Sequence, residues 1–209
     1  RAEVSKDKIK TTLEVELNNF GRNQLQINGK KINKKKELQE KIKTTIFGPE
    51  DLSLIKGSPG ERRNYLDELL LDLHNKNQVI KSNFEKCLKQ RNTLLKQAKG
   101  KLTTEIETTL NVWDEKFAES GQQLASERIK LLEKLKPEIE TILNKFTNNQ
   151  DTVLFEYEQL WEKEKLLETL QTERQTDIRR GITTMGPHRD EIGIKVNKLL
   201  AKNHSSQGE

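Results

Sequence analysis

Apolar residues recur at steps of three and four from Leu66 to Leu135, and a glycine, Gly100, divides the repeat into two. In the first half Leu66, Leu69, Leu70 and Leu73 share one helical face. After the polar stretch His74 to Gln78 the seam resumes at Ile80, Phe84, Cys87, Leu94 and Ala98. Arg91 falls on the same seam and reads as a defect in the repeat. Beyond Gly100 a second seam runs through Leu102, Ile106, Leu110, Trp113, Phe117, Leu124, Leu132 and Leu135, ending at Pro137. A narrow apolar stripe is buried only against a partner, and a tight turn at Gly100 supplies one. The spacing predicts two antiparallel helices forming an arm about 50 Å long at about 1.5 Å per residue. Its start is spelled out by Ser58-Pro59-Gly60-Glu61: Ser58 caps, Pro59 stands where a missing N–H costs nothing, and Glu61 completes a capping box.

Composition agrees with an arm beside a small globular part. Charged residues make up 34% of the 209 and hydrophobic ones 32%, too few for one sphere with a large core. The length allows one or two domains. There is no long apolar run and no signal-peptide pattern, and a lone Cys87 cannot form an internal disulfide, so a cytoplasmic location is expected. The net charge of +5 permits a nucleic-acid partner without requiring one. Opening on Arg1 and stopping at Glu209 after a Ser/Gly cluster, the chain reads as a fragment.

Strands are expected at both ends. Thr11 to Asn18 alternates with period two, and Leu25 to Ile27 leads through Asn28-Gly29, a hairpin-turn signal, to Ile32. Five lysines between Lys30 and Lys36 read as a solvated turn and short helix, before a strand at Ile42 to Phe47 and the turn Gly48-Pro49. After the arm come a short helix at Ile139 to Phe146, a strand at Val153 to Tyr157 and an amphipathic helix from Leu160 to Arg180. Strands at Ile182 to Met185 and Ile192 to Val196 flank the loop Gly186-Pro187-His188-Arg189-Asp190. The fold class is α+β with an inserted long antiparallel helical arm.

Most chemistries find no footing. Three scattered histidines and one cysteine lack metal-ligand spacing. His74 lies in a polar break and Cys87 on an apolar seam, which leaves no activated nucleophile. Asn28-Gly29-Lys30-Lys31 shares with a phosphate loop only its Gly before Lys, and hairpin logic explains it. Between Lys86 and Lys101, by contrast, stand six basic residues and no acidic one. Such a field suits a DNA backbone, with Lys96, Lys99 and Lys101 at the tip. Arg62 and Arg63, after the capped start, are either a solvated face or a phosphate contact. His188 and Arg189, on the Gly186-Pro187 turn, are two further candidates.

Three clusters in order carry a resemblance: Phe47 to Asp67 (FGPEDLSLIKGSPGERRNYLD), Lys89 to Lys96 (KQRNTLLK) and Gly186 to Asp190 (GPHRD), with Ser205-Ser206-Gln207-Gly208-Glu209 at the end. Separated by a helical arm, they resemble the RecF family of bacterial recombination-repair ATPases, of the SMC/ABC type. The resemblance covers essentially the whole chain. It implies an ATPase head folded from two sequence-distant pieces, here 1–58 and 181–209, with the arm at 59–180 inserted between them. Phe47 to Leu52 then stands where related ATPases carry the Q-loop. No Gln occupies it, and Glu50 and Asp51 are assigned to the nucleotide or, equally, to a helix start. Ser205, Ser206, Gln207 and Gly208 resemble the signature motif, whose hydroxyl and backbone N–H groups meet the γ-phosphate held by the opposite subunit. Glu209 departs from the Gln usual there.

The same resemblance implies ATP and Mg as cofactors, an ATP-dependent homodimer and binding to single-stranded, gapped or junction DNA. It also implies work with RecO and RecR in loading RecA. It places Arg62 and Arg63 near nucleotide or DNA. Family members are weak DNA-dependent ATPases. This sequence shows neither Walker A nor Walker B, holds no catalytic residue and is expected to be inactive alone. The rivals are a non-catalytic coiled-coil adaptor, which has no use for the GPHRD and SQGE clusters, and another SMC-like ATPase, whose arm would be far longer.

Overall fold

The structure is a computed structural model describing residues 1–6, 8–19, 23–32, 48, 51, 53–147 and 151–204. It divides into two units, Arg1–Gly48 and Pro49–Glu209. In the first, β1 (Ala2–Lys6), β2 (Ile9–Glu16), β3 (Gln24–Ile27) and β4 (Lys30–Ile32) form an antiparallel sheet in chain order. Asn28 and Gly29 turn between β3 and β4 at φ 49° and 75°, the left-handed pair that a two-residue hairpin turn needs. Asn28 also ties the turn to β2. Its N–H donates to the Thr12 carbonyl at 2.8 Å, and its Oδ1 accepts from the Thr12 N–H at 2.7 Å. Strand β1 went unread because Val4 alone gives it too weak an alternation, yet it pairs with β2 from Ala2↔Leu13 to Lys6↔Ile9. The strand expected at Ile42 to Phe47, and Lys34 to Lys36, lie outside the described residues.

The second unit opens with α1 (Ser53–Lys56) and α2 (Pro59–Leu73), whose capping box is as the sequence predicts. Ser58 Oγ accepts the Glu61 N–H at 3.3 Å and Glu61 Oε2 accepts the Ser58 N–H at 2.5 Å. At His74 the backbone turns extended (φ −148°, ψ 131°) and α3 (Asn75–Gln97) begins. Asn77 Nδ2 bridges the break by donating to the Leu70 carbonyl at 2.7 Å. The first side of the arm is thus broken at His74, and its unbroken helix α3 is about 35 Å long, not 50 Å, at about 1.5 Å per residue. Lys99 (φ 47°) and Gly100 (φ 80°) reverse the chain into α4 (Thr104–Thr147), which packs antiparallel on α3. Phe84 meets Phe117 with ring centroids 5.2 Å apart, and Leu95 and Leu110 share a cluster nearer the tip.

Pro137 does not end the second arm helix, because α4 runs through it for 44 residues and absorbs the short helix expected at Ile139 to Phe146. The proline is exposed, so water can satisfy the carbonyl that loses its intrahelical donor.

The chain returns through β5 (Val153–Glu158), α5 (Leu166–Thr172), α6 (Arg174–Arg180), β6 (Glu191–Val196), β7 (Leu199–Leu200) and α7 (Ala201–His204). Strands β5, β6 and β7 form an antiparallel sheet in that order. The single helix expected from Leu160 to Arg180 starts only at Leu166, after Trp161 has turned into the core, and it breaks at Glu173 into two. Ile182 to Met185 is not a strand: its backbone is bound to side chains of α3 and α6. No described helix is long and apolar enough to cross a membrane.

Candidate functional site

The Gly186 to Asp190 loop is held from every side. Gly186 has φ 124°, and a Cβ there would lie 2.9 Å from two carbons of the Phe117 ring. Only glycine satisfies both the conformation and the approach. Pro187 is fully buried against Gly121 of α4, and its carbonyl accepts from Arg128 Nη1 at 2.7 Å. Arg128 also forks onto Asp67 of α2 at 2.7 and 3.0 Å. Burial alone would lower the Arg128 pKa, but the Asp67 carboxylate raises it above the ordinary value.

His188 is packed inward. Its ring packs beside the Phe84/Phe117 pair, with centroids 6.2 Å from Phe84 and 5.9 Å from Phe117 in an edge-to-face arrangement, and Nε2 stands 3.0 Å from the Thr183 carbonyl. A carbonyl only accepts, so Nε2 carries the proton and the buried Nδ1 is left without a partner. Burial, only partly offset by that carbonyl, and the charges of Arg189, Arg63 and Arg91 push its pKa down to about 4. His188 is therefore neutral at pH 7 and is not the phosphate-facing cation its place in the sequence suggests.

Asp190 is also fully buried, accepting from Tyr157 Oη at 2.9 Å and Trp161 Nε1 at 3.0 Å. Desolvation raises its carboxyl, and likewise the Tyr157 phenol. The adjacent arginines of α2 close the clamp. Arg63 Nη1 donates to the Asp190 carbonyl at 2.6 Å, and Arg62 forks onto Glu191 at 3.0 and 3.1 Å. Burial works to raise Glu191, but hydrogen bonds from Arg62 and the Ile192 N–H, with the charges of Arg62 and Arg63, hold it low. Arg62 is itself buried and also donates to the Gly57 carbonyl at 3.0 Å, so its charge is spent inside the fold. In this loop Arg189 alone is exposed.

The arm has a second polar centre. Arg91 is fully buried, with Nε on Asp114 at 2.6 Å and Nη1 on Asp177 at 2.6 Å and Thr183 Oγ1 at 2.9 Å. Arg174 meets the other oxygen of Asp114 at 2.7 Å. Two cations thus balance two carboxylates in a layer between the Phe84/Phe117 cluster and the Leu95/Leu110 cluster. What looked like a defect in the seam is the joint between α3, α4 and α6.

Along its whole length the chain is 35% identical over 225 residues to the DNA replication and repair protein RecF of Streptomyces avermitilis. It is 34% identical over 231 residues, or 94% of the chain, to the protein of that name from Renibacterium salmoninarum. The chain belongs to the RecF family. A solved structure of the recombination mediator protein RecF-ATP in the RecFOR pathway superposes with a TM-score of 0.78. It is 30% identical, and the match covers 95% of this chain and 55% of that one. A RecF-ATPrS structure gives a TM-score of 0.76 at 29% identity over 97% of this chain. No protein-family model matches. The chain spans about 60% of the length of the RecF proteins it matches.

In this RecF-family chain the residues singled out from sequence fall into three groups. Arg62, Arg63 and His188 converge on the loop clamp, where they bind protein groups. Lys96, Lys99, Lys101 and Arg189 are exposed, and Asp51 is exposed before α1. Glu50 and Ser205 to Glu209 lie outside the described residues. Of the six basic residues from Lys86 to Lys101, only Arg91 is matched by buried acids, which leaves five lysines on the surface. Asp67, Arg128, Tyr157, Trp161 and Asp114 were missed. Asp67, Arg128 and Asp114 sit on helices among many solvated charges, and nothing local in the sequence distinguishes the buried ones.

Proposed function

We propose that this chain is the arm-bearing part of an ATP-switched DNA-binding protein of DNA replication and recombinational repair, with the arm tip as its DNA-backbone contact. The match, along nearly all of this chain, to proteins named for DNA replication and repair carries this reading. On the same reading the protein acts in the cytoplasm on single-stranded, gapped and junction DNA, with RecO and RecR, to load RecA. Two heads dimerise around ATP and Mg. Bound ATP supplies the phosphate charge that joins the two heads, with Ser205, Ser206, Gln207 and Gly208 reaching it from the partner and Glu50 and Asp51 near it. The start of α2, the one strongly spelled helix N-terminus, already uses its Glu61 N–H on Ser58 and carries the Glu61 carboxylate, which repels an anion.

Exposure separates the candidate DNA residues. Lys96, Lys99 and Lys101 stand in solvent and can shed counterions onto a phosphate backbone, and Arg189 stands likewise exposed on its loop. Arg63 is half-buried, whereas Arg62 and His188 serve DNA by fixing the loop that presents Arg189. The test is an anisotropy titration of a labelled gapped duplex across a salt series. Removing the charges of Lys96, Lys99 and Lys101 together is expected to flatten the dependence of log K on log salt by about two to three units, without changing sequence preference. An unaltered slope rejects the tip.

A further inference from the structure

Resting on that reading, we propose that the DNA-backbone surface of the arm is composite: Arg179 and Arg180, at the C-terminal end of α6, form a second row of cations beside the lysine stripe of α3. The stripe comes from helix geometry. Lys86, Lys89 and Lys96 are exposed, and at about 100° per residue they fall within an arc of about 80°. From Lys86 to Lys96 the helix rises about 15 Å, the span of about four phosphates on one DNA strand.

The end of α6 lies directly against this stripe. A Cβ on Gly181 would stand 3.7 Å from Lys96 Cγ and 3.9 Å from its Cα, ordinary van der Waals contact. Arg179 and Arg180 immediately precede that glycine and are exposed, and neither is paired with a carboxylate among the described residues. Cations at a helix C-terminus are favoured by the backbone dipole, which explains their sign but not their alignment with Lys96. Alignment comes from buried bonds. Asp177, one turn earlier in α6, is held by Arg91 of α3, and the Thr183 N–H and Oγ1 both donate to Asn92 Oδ1 of α3 at 2.7 Å.

Charge also makes the surface one-sided. Between Lys86 and Gln97, α3 has no acid, and the Asp177 carboxylate of α6 is buried on Arg91. Over residues 104–120, by contrast, α4 exposes Glu105, Glu107, Glu115 and Glu119 against Lys116. A polyanion is drawn to the α3–α6 side and repelled from the α4 side.

The experiment compares the full 209-residue chain with an Arg179→Ala/Arg180→Ala variant, titrating a labelled duplex at several salt concentrations and checking the fold by circular dichroism. The double variant is expected to lose about two units of salt slope and at least tenfold in affinity at low salt, and Arg179→Lys/Arg180→Lys to restore both. If the unaltered chain binds DNA and the double alanine variant keeps its slope, the composite surface is overturned while the arm-tip reading stands. Absence of binding by the unaltered chain overturns both. Tighter binding of poly-L-glutamate than of duplex at equal salt assigns the surface to an acidic polypeptide and overturns the proposal as well.

Discussion

Replacing Arg91 by methionine tests the polar layer while keeping most of the unbranched stem at this fully buried position. The change removes one of two buried cations. Asp114 keeps Arg174 at 2.7 Å, but Asp177 keeps only the Thr184 N–H and hydroxyl, both on its Oδ1, and its Oδ2 loses Arg91. A layer of two cations and two carboxylates becomes one with a surplus negative charge at positions with no solvent exposure. Breaking a buried pair in this way costs about 3 to 5 kcal/mol, mostly from the carboxylate left behind. Arg91→Met is therefore expected to lower unfolding free energy by that amount in urea denaturation followed by circular dichroism. The companion change Asp177→Asn removes the surplus charge yet keeps an oxygen for Thr184. In an Arg91→Met background it should recover about 1 to 3 kcal/mol relative to the sum of the single changes. A cost below about 1 kcal/mol for Arg91→Met, or strictly additive changes, would falsify the view that this layer acts as one charge-balanced unit.

Two further outcomes are expected from the loop. The unfolded chain protonates its histidine near 6.5 and the native one holds His188 neutral to about 4, so the unfolded state binds more protons in between. Stability should fall by about 2 kcal/mol from pH 8 to pH 5, with the remaining loss complete below about pH 4. His188→Gln should remove that component, and matching pH profiles for the two chains would show the ring to be solvated. Gly186→Ala forces a side chain onto a φ of 124° and against the Phe117 ring, and should cost about 2 to 3 kcal/mol in urea denaturation. No change there would mean that the loop does not depend on this approach.

The elements legible in the sequence were those written locally. Ser58-Pro59-Gly60-Glu61 specifies a helix start in four residues, Asn28-Gly29 specifies a hairpin in two, and both are present. The apolar seams specified the antiparallel contact of Phe84 with Phe117. What the sequence concealed depends on distant partners. Arg91 and Asp114 look like any two charges on solvated helices until α6 brings Asp177 and Arg174 to them, 60 to 86 residues along the chain. Likewise, Arg62 and His188 carry no mark showing that Glu191 and two phenylalanine rings will enclose them. Strand β7 was missed because its two residues pair only through the Asn197-Lys198 turn, where Lys198 adopts φ 69° without being a glycine.

Because the charged layer sits between two greasy layers, it also fixes how the arm can move. Sliding α3 along α4 by one turn, about 5.4 Å, would bring Arg91 level with leucine or phenylalanine and strand Asp114 and Asp177 in an apolar slot. The greasy layers alone would tolerate such a step far better, since leucine exchanges for leucine. The keyed layer forbids the ratchet. Force applied at the Lys99–Gly100 end is thus transmitted by tilting the helix pair as a lever, with α6 and the Gly186 loop carried along, and not by one helix running past the other as a piston.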